Sequence, residues 1–325
     1  MSDVTRLDQA SEPEATDHAG RRLGRAMTIL LIGYVGLVIA LVVVRGAYVT
    51  PDLFIILAAV IAVVLGRARL FVRDWLPFIA ILLAWQSMRS LADNLGLTVH
   101  SDDIIALERS LFFGMVPSVE LQAWLHQAGS VNAIDLFTAF LYVAHFALPL
   151  TVALFFWVVR RPLYYRYITA LMVMSFSAFV VFILFPVAPP RFAGAYGEAL
   201  PVRDLLNDTF TSLQFAPVTT WLYANISGND VAAMPSLHSA YPLLAYLFAR
   251  EVWRRASLVL LVYSAAVWFS VVYLGHHYVV DVIGGILFAV GAYAALQTPV
   301  LQRVATWLAD VGRRACTVLP GRPRG

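Results

Sequence analysis

Residues 256–297 read ASLVLLVYSAAVWFSVVYLGHHYVVDVIGGILFAVGAYAALQ. Two apolar runs, near 256–275 and 278–297, meet at the turn Gly275-His276-His277-Tyr278. Each approaches the roughly 20 residues that cross a bilayer core. Backbone groups have no water to bond inside a bilayer, so such runs are helical. The stretch therefore predicts two neighbouring membrane helices with ionisable residues in the turn between them. Asp281 follows His277 by four positions. About forty residues earlier, Met234-Pro235-Ser236-Leu237-His238-Ser239 stands where another polar turn meets an apolar run.

Working outward, the same reading finds eight spans, near 27–44, 51–66, 75–93, 133–158, 165–186, 236–251, 256–275 and 278–297. The chain of 325 residues is 60% hydrophobic and 13% charged, well away from soluble usage. All 23 basic residues are arginine. With the N-terminus placed inside, eighteen lie on inner segments. The outer five are Arg45, Arg89, Arg109, Arg191 and Arg203. This positive-inside bias predicts an even number of spans, both termini cytoplasmic, and both histidine motifs at the outer face of a plasma membrane. The expected organisation is a disordered cytoplasmic tail (1–26), N-terminal membrane helices (27–74), a catalytic membrane core (75–297) and a cytoplasmic tail (298–325).

Composition excludes several chemistries. Without lysine there is no Schiff base and no P-loop lysine. A single cysteine, Cys316, allows no internal disulfide and no cysteine cluster for zinc. The net charge of +3 comes from arginines beside apolar runs, so it points to membrane topology and not to nucleic acid. No metal or cofactor is expected. Two outer loops are long, 94–132 and 187–235. The first carries an amphipathic stretch, Ile104 to Leu125, interrupted by Pro117, that lies in the interface or caps a site.

The two motifs suit phosphoryl transfer. On a helix, positions i and i+4 share a face, so Asp281 can orient the His277 imidazole and stabilise its charged form. The other ring nitrogen is then free to attack phosphorus and form a phosphohistidine, which divides one hard displacement into two easier ones. His238 is placed to protonate a leaving oxygen and later to deprotonate an acceptor. Ser236 and the amides of that helix start can bind phosphate oxygens. Arginine must supply the remaining stabilisation, with Arg191 the leading candidate and Arg89 the second. A salt bridge at a helix start would also account for His277 and Asp281, but ionisable residues at membrane depth are usually functional. His276 reads as a neighbour of the pair, and His145 as a packed, hydrogen-bonded histidine.

At these residues the chain resembles the type 2 phosphatidic acid phosphatase superfamily, and within it the inositol phosphorylceramide synthase branch. The likeness rests on Pro235–Ser239, on His276–Asp281, on Phe185–Pro190, and on Leu107–Phe112 with Pro117, Leu121 and Gln122 after it. It covers roughly residues 75–297. It implies an all-α polytopic membrane bundle of about eight helices with a six-helix phosphatase-like core. It also implies His277 as nucleophile, Asp281 as its partner, His238 as acid/base and no metal cofactor. The hydrolase members carry Ser-Arg seven and six residues before the second histidine, where this chain has Ser270 and Val271. That departure favours the transferase branch.

Three functions follow from this reading. The first is a lipid phosphotransferase that moves a phospho-headgroup, plausibly phosphoinositol, from a phospholipid to a lipid or other alcohol acceptor. The second is a phosphatase of lipid phosphates or isoprenoid diphosphates. The third is a lipid-binding membrane protein without catalysis.

Overall fold

A computed structural model describes residues 51–64, 66–92, 97–214 and 230–307, with the side chains at 51–54, 57 and 84–92 excluded. Among the described residues the protein is all helical, its one extended pairing being an isolated parallel bridge between Val187 and Ala232. The long helices are α1 (Pro51–Val64) and α2 (Ala68–Ala92), then α5 (Ala133–His145), α6 (Leu148–Val159) and α7 (Arg161–Leu184). They continue with α9 (Leu237–Ala249), α10 (Leu258–Tyr273) and α11 (Val279–Ala295). Shorter helices connect them: α3 (Ser101–Leu111), α4 (Pro117–Leu125), a 3₁₀ turn (Pro190–Ala195) and α8 (Leu205–Ser212).

Seven of the eight expected spans fall on these helices; the first, 27–44, and the tail 1–26 lie outside the described residues. The fourth span is two helices, α5 and α6, bent by 52°. Pro149 has no N–H to donate to the His145 carbonyl, and its ring clashes with that turn. The helix stops at His145 and restarts at Leu148, which leaves His145 at the bend. The segment expected as a tail from 298 opens with a further helix, α12 (Pro299–Trp307), bent 81° from α11. By length and hydropathy α7 can cross a membrane by itself, and each bent pair passes the same test jointly.

The core is built on α9, which packs against α7, α10 and α11. Large aromatics fill it, among them Trp75, Trp157, Tyr164, Tyr167 and Phe248, all fully buried. At the N-terminal end of α7 the buried Asp74 carboxylate accepts from Trp157 Nε1 and Arg161 Nε (both 2.8 Å) and from the Tyr165 hydroxyl (2.6 Å). Such full satisfaction is what permits a charge in that position. A second small core lies beyond the other end of α7. There Ile104 and Ile105 of α3 meet Val116, Val187, Ala193, Ala233 and Tyr278.

Candidate active site

Three chain reversals converge at that second end. The turn after α10 is allowed by Gly275, whose φ is +79°. A Cβ there would lie 2.6 Å from Val202 Cγ1 and 2.9 Å from the Arg203 carbonyl oxygen, so only glycine fits. The next two amides, of His276 and His277, both donate to the Val271 carbonyl oxygen (3.0 and 3.1 Å). Helix α11 then begins at Val279, and Asp281 caps its first turn by accepting from the Tyr278 amide (2.9 Å).

The same Asp281 Oδ2 lies 3.3 Å from His277 Nδ1. The pairing expected from the sequence is present, but its geometry differs. His277 precedes the helix, so the contact comes from the capping turn and not from a shared helix face. A carboxylate opposite Nδ1 places the proton on that nitrogen and leaves a lone pair on Nε2. His238 Nδ1 stands 3.0 Å from that Nε2 and is therefore the donor between the two rings. This leaves the His238 Nε2 as a buried acceptor with no hydrogen-bond partner among the described residues.

His238 is held there by α9 and by aromatic contacts. Ser236 is the N-cap of α9, fully buried, with its hydroxyl oxygen accepting from the Ser239 amide (3.3 Å). The Ser236 amide in turn donates to the Asp281 carbonyl oxygen (3.0 Å), and Ser239 Oγ donates to the Val282 carbonyl oxygen (3.1 Å). These bonds sew the two histidine motifs together. They require close approach: a Cβ on Gly285 of α11 would collide with the Ser236 carbonyl and Ser239 Oγ. Tyr142 stacks on the His238 ring at 4.8 Å, and His145 lies at 4.4 Å.

Arg191 reaches the site through the bridge Val187↔Ala232, which lays residues 187–191 beside the approach to Pro235. Its amide donates to the Gly275 carbonyl oxygen (3.1 Å), and its guanidinium lies 4.3 Å over the Phe192 ring. Nη1 donates to His276 Nδ1 at 2.7 Å, and Nε is 3.4 Å from Asp204 Oδ2. His276 Nε2 is 3.5 Å from the other oxygen of Asp204. Since Nδ1 accepts from Arg191, Nε2 carries the His276 proton and faces the carboxylate. Arg89 belongs to α2, but its side chain lies outside the described residues.

The geometry thus brings His277, Asp281, His238, Ser236 and Arg191 to one place and adds three residues. Asp204 is the N-cap of α8, its Oδ1 accepting from the Asn207 amide (3.1 Å), so the sequence marks it as a helix start and not as a site residue. His276 contributes by positioning Arg191, and His145 is part of the aromatic wall of His238. Where hydrolase members carry arginine, Val271 is fully buried in the core.

Comparison with known proteins agrees with the motifs. The chain is 27% identical over 219 residues to a phosphoinositol dihydroceramide synthase of Bacteroides thetaiotaomicron, covering 65% of this chain and 72% of that one. It is 27% identical over 158 residues to an inositol phosphorylceramide synthase of Candida albicans, covering 46% of this chain and 33% of that one. No solved structure matches it. The profile of the PAP2 superfamily matches residues 102–295, from α3 to the end of α11, and the chain belongs to that superfamily.

Proposed function

We propose that this protein is a membrane lipid phosphotransferase that moves a phosphoinositol headgroup from a phospholipid to a lipid alcohol through a phosphohistidine on His277. The observation that carries the reading is the ordered row Asp281–His277–His238, in which one imidazole is oriented by a carboxylate and the other donates to it. The two relatives, named as phosphoinositol transfer enzymes acting on ceramides, support the headgroup and the class of acceptor.

In this mechanism phosphorus enters between the two rings and replaces the 3.0 Å bond. His277 Nε2 forms the N–P bond while the P–O bond to the diacylglycerol oxygen breaks. The Nδ1 proton of His238, no longer bound to His277, passes to that oxygen. The acceptor hydroxyl then returns its proton to His238, its oxygen bonds phosphorus, and the N–P bond breaks. Asp281 stabilises the imidazolium character of His277 in both steps. Arg191 is assigned to the equatorial phosphate oxygens, with the Ser236 turn beside it. Arg89 stands as a further candidate for the phosphate.

The core comprises α5–α6 as one broken span with α2, α7, α9, α10 and α11. The site opens to the outer face, and both termini are cytoplasmic. At 13 residues α9 is about 20 Å long, shorter than the ~30 Å hydrocarbon core. This supports a site sunk below one bilayer face, where a lipid donor enters sideways.

The test uses purified protein in nanodiscs with headgroup-tritiated phosphatidylinositol and a ceramide acceptor. Label in a new lipid, absent in His277→Ala, is the expected result. Label only in water-soluble inositol phosphate would make the protein a hydrolase. Wild-type label that never leaves phosphatidylinositol would overturn the enzymatic reading.

A further inference from the structure

The first turn of α11 is held by a residue 171 positions away. Glu108 of α3 is fully buried, and its carboxylate accepts from the amides of Val279 (3.0 Å) and Val280 (3.1 Å). Every helix start leaves amides without intrahelical partners, normally met by a nearby Ser, Thr, Asp or Asn. Here the N-cap position is Tyr278, whose side chain makes no such bond. Within the helix the available acceptor is Asp281, which already serves the Tyr278 amide and His277 Nδ1 through Oδ2. Its Oδ1 is buried with no hydrogen-bond partner among the described residues. If the Val279 and Val280 amides were unmet, Asp281 would be the nearest carboxylate to turn toward them and away from His277.

We propose that Glu108 is a positioning residue for the reaction: it satisfies the first amides of α11, which have no intrahelical partner, so that Asp281 remains committed to His277. This rests on the phosphoryl-transfer reading above. A carboxylate at a helix N-terminus is favoured by the helix dipole and forms charge-assisted bonds. Glu108 shares the buried face of α3 with Ser101, Ile104 and Ile105, so the packing of that face carries the carboxylate inward.

Burial pushes the Glu108 carboxyl up to about 7, with the two amide bonds opposing and Asp281 adding to the rise. The other ionisable groups on the elements packed here are Tyr278 and His277 beside α11, Asp102 and Arg109 on α3, and Glu198, which pairs with Arg109. Its ordinary value is 4.5, so between about pH 4.5 and 7 the folded protein keeps a proton that the unfolded chain has lost. That contribution to stability is present below the window and lost as pH rises through it. Above it the buried charge is a standing cost, which Glu108→Gln removes.

The test compares full-length wild type, Glu108→Gln and Glu108→Asp in nanodiscs at pH 8. Expected for Glu108→Gln are a kcat lower by about tenfold or more, a KM within about twofold, and an unfolding midpoint no lower than wild type. Glu108→Asp, which keeps the charge, recovers part of the turnover. Amide exchange in peptides spanning 276–283 rises in Glu108→Gln and not in peptides of α10. Wild-type kcat, unchanged exchange, or activity lost only in step with a lower unfolding midpoint would each overturn the proposal. Should wild type itself transfer no headgroup, the exchange arm still tests the positioning claim by itself.

Discussion

Asp281 shows how one side chain can carry two duties, and its replacement separates them. In Asp281→Asn the amide oxygen can still accept from the Tyr278 N–H. That oxygen takes the place of Oδ2, which also faces His277 Nδ1, so the tautomer is kept while the charge that stabilises the His277 imidazolium is lost. We expect kcat to fall by about 10²-fold or more with little change in KM, measured by headgroup transfer. Arg191→Lys tests the guanidinium. A lysine keeps the charge but loses the planar fork that spans His276 and Asp204. A loss on the order of 10² in kcat is expected, and wild-type turnover would remove Arg191 from the phosphate site. Ser236 and His238 were legible as motif residues. The link from Arg191 to Asp204 was not, because Asp204 reads as a helix cap and meets Arg191 only through the convergence of three turns.

At the scale of elements, the site depends on how closely α9 and α11 approach. Gly285 faces the Ser236 carbonyl with no room for a methyl group, whereas Gly291 of the same helix faces open space. Gly285→Ala is expected to lower stability by about 1–3 kcal/mol through forced displacement, and to abolish transfer by parting the two histidine motifs. Gly291→Ala should stabilise by roughly 0.5–1 kcal/mol and leave transfer intact. Thermal unfolding of both in one detergent decides this. Equal behaviour of the two would show that the crossing is not tight. The helices themselves follow from apolar runs, so most were readable. The break between α5 and α6 was not anticipated, although its cause, Pro149, lies in plain view. A proline in a membrane run is often tolerated, and only packing shows that this one turns His145 toward His238.

The whole molecule is a membrane protein whose sidedness rests on its arginines. If both termini are cytoplasmic, a membrane-impermeant maleimide should label native Cys316 in spheroplasts only after permeabilisation. In a Cys316→Ser background, Ser130→Cys, exposed between α4 and α5, should label without it. The reverse pattern would invert the topology and move the site to the inner face. The two ends of the bundle also differ in kind. Asp74 at one end is fully bonded, whereas the other end gathers His145, His238, His276 and His277 around Tyr142, Arg191 and Asp281.

The order of residues marks the chain as a helical membrane protein and sets out its histidine motifs as the candidate reactive groups. Hydropathy dictates helices because a bilayer leaves the backbone no other partner, and histidines with a carboxylate at a span end announce their chemistry wherever they meet. How these groups meet follows from the packing of the helix ends. Asp281 reaches His277 through a cap, Arg191 is aimed by Asp204 and His276, and Glu108 closes the start of α11 across 171 residues. The links of Arg191 to His276 and of Glu108 to Val279 join segments far apart in the chain. Local propensity carries no record of such a contact, since the geometry arises only when close-packed helices bring their ends together.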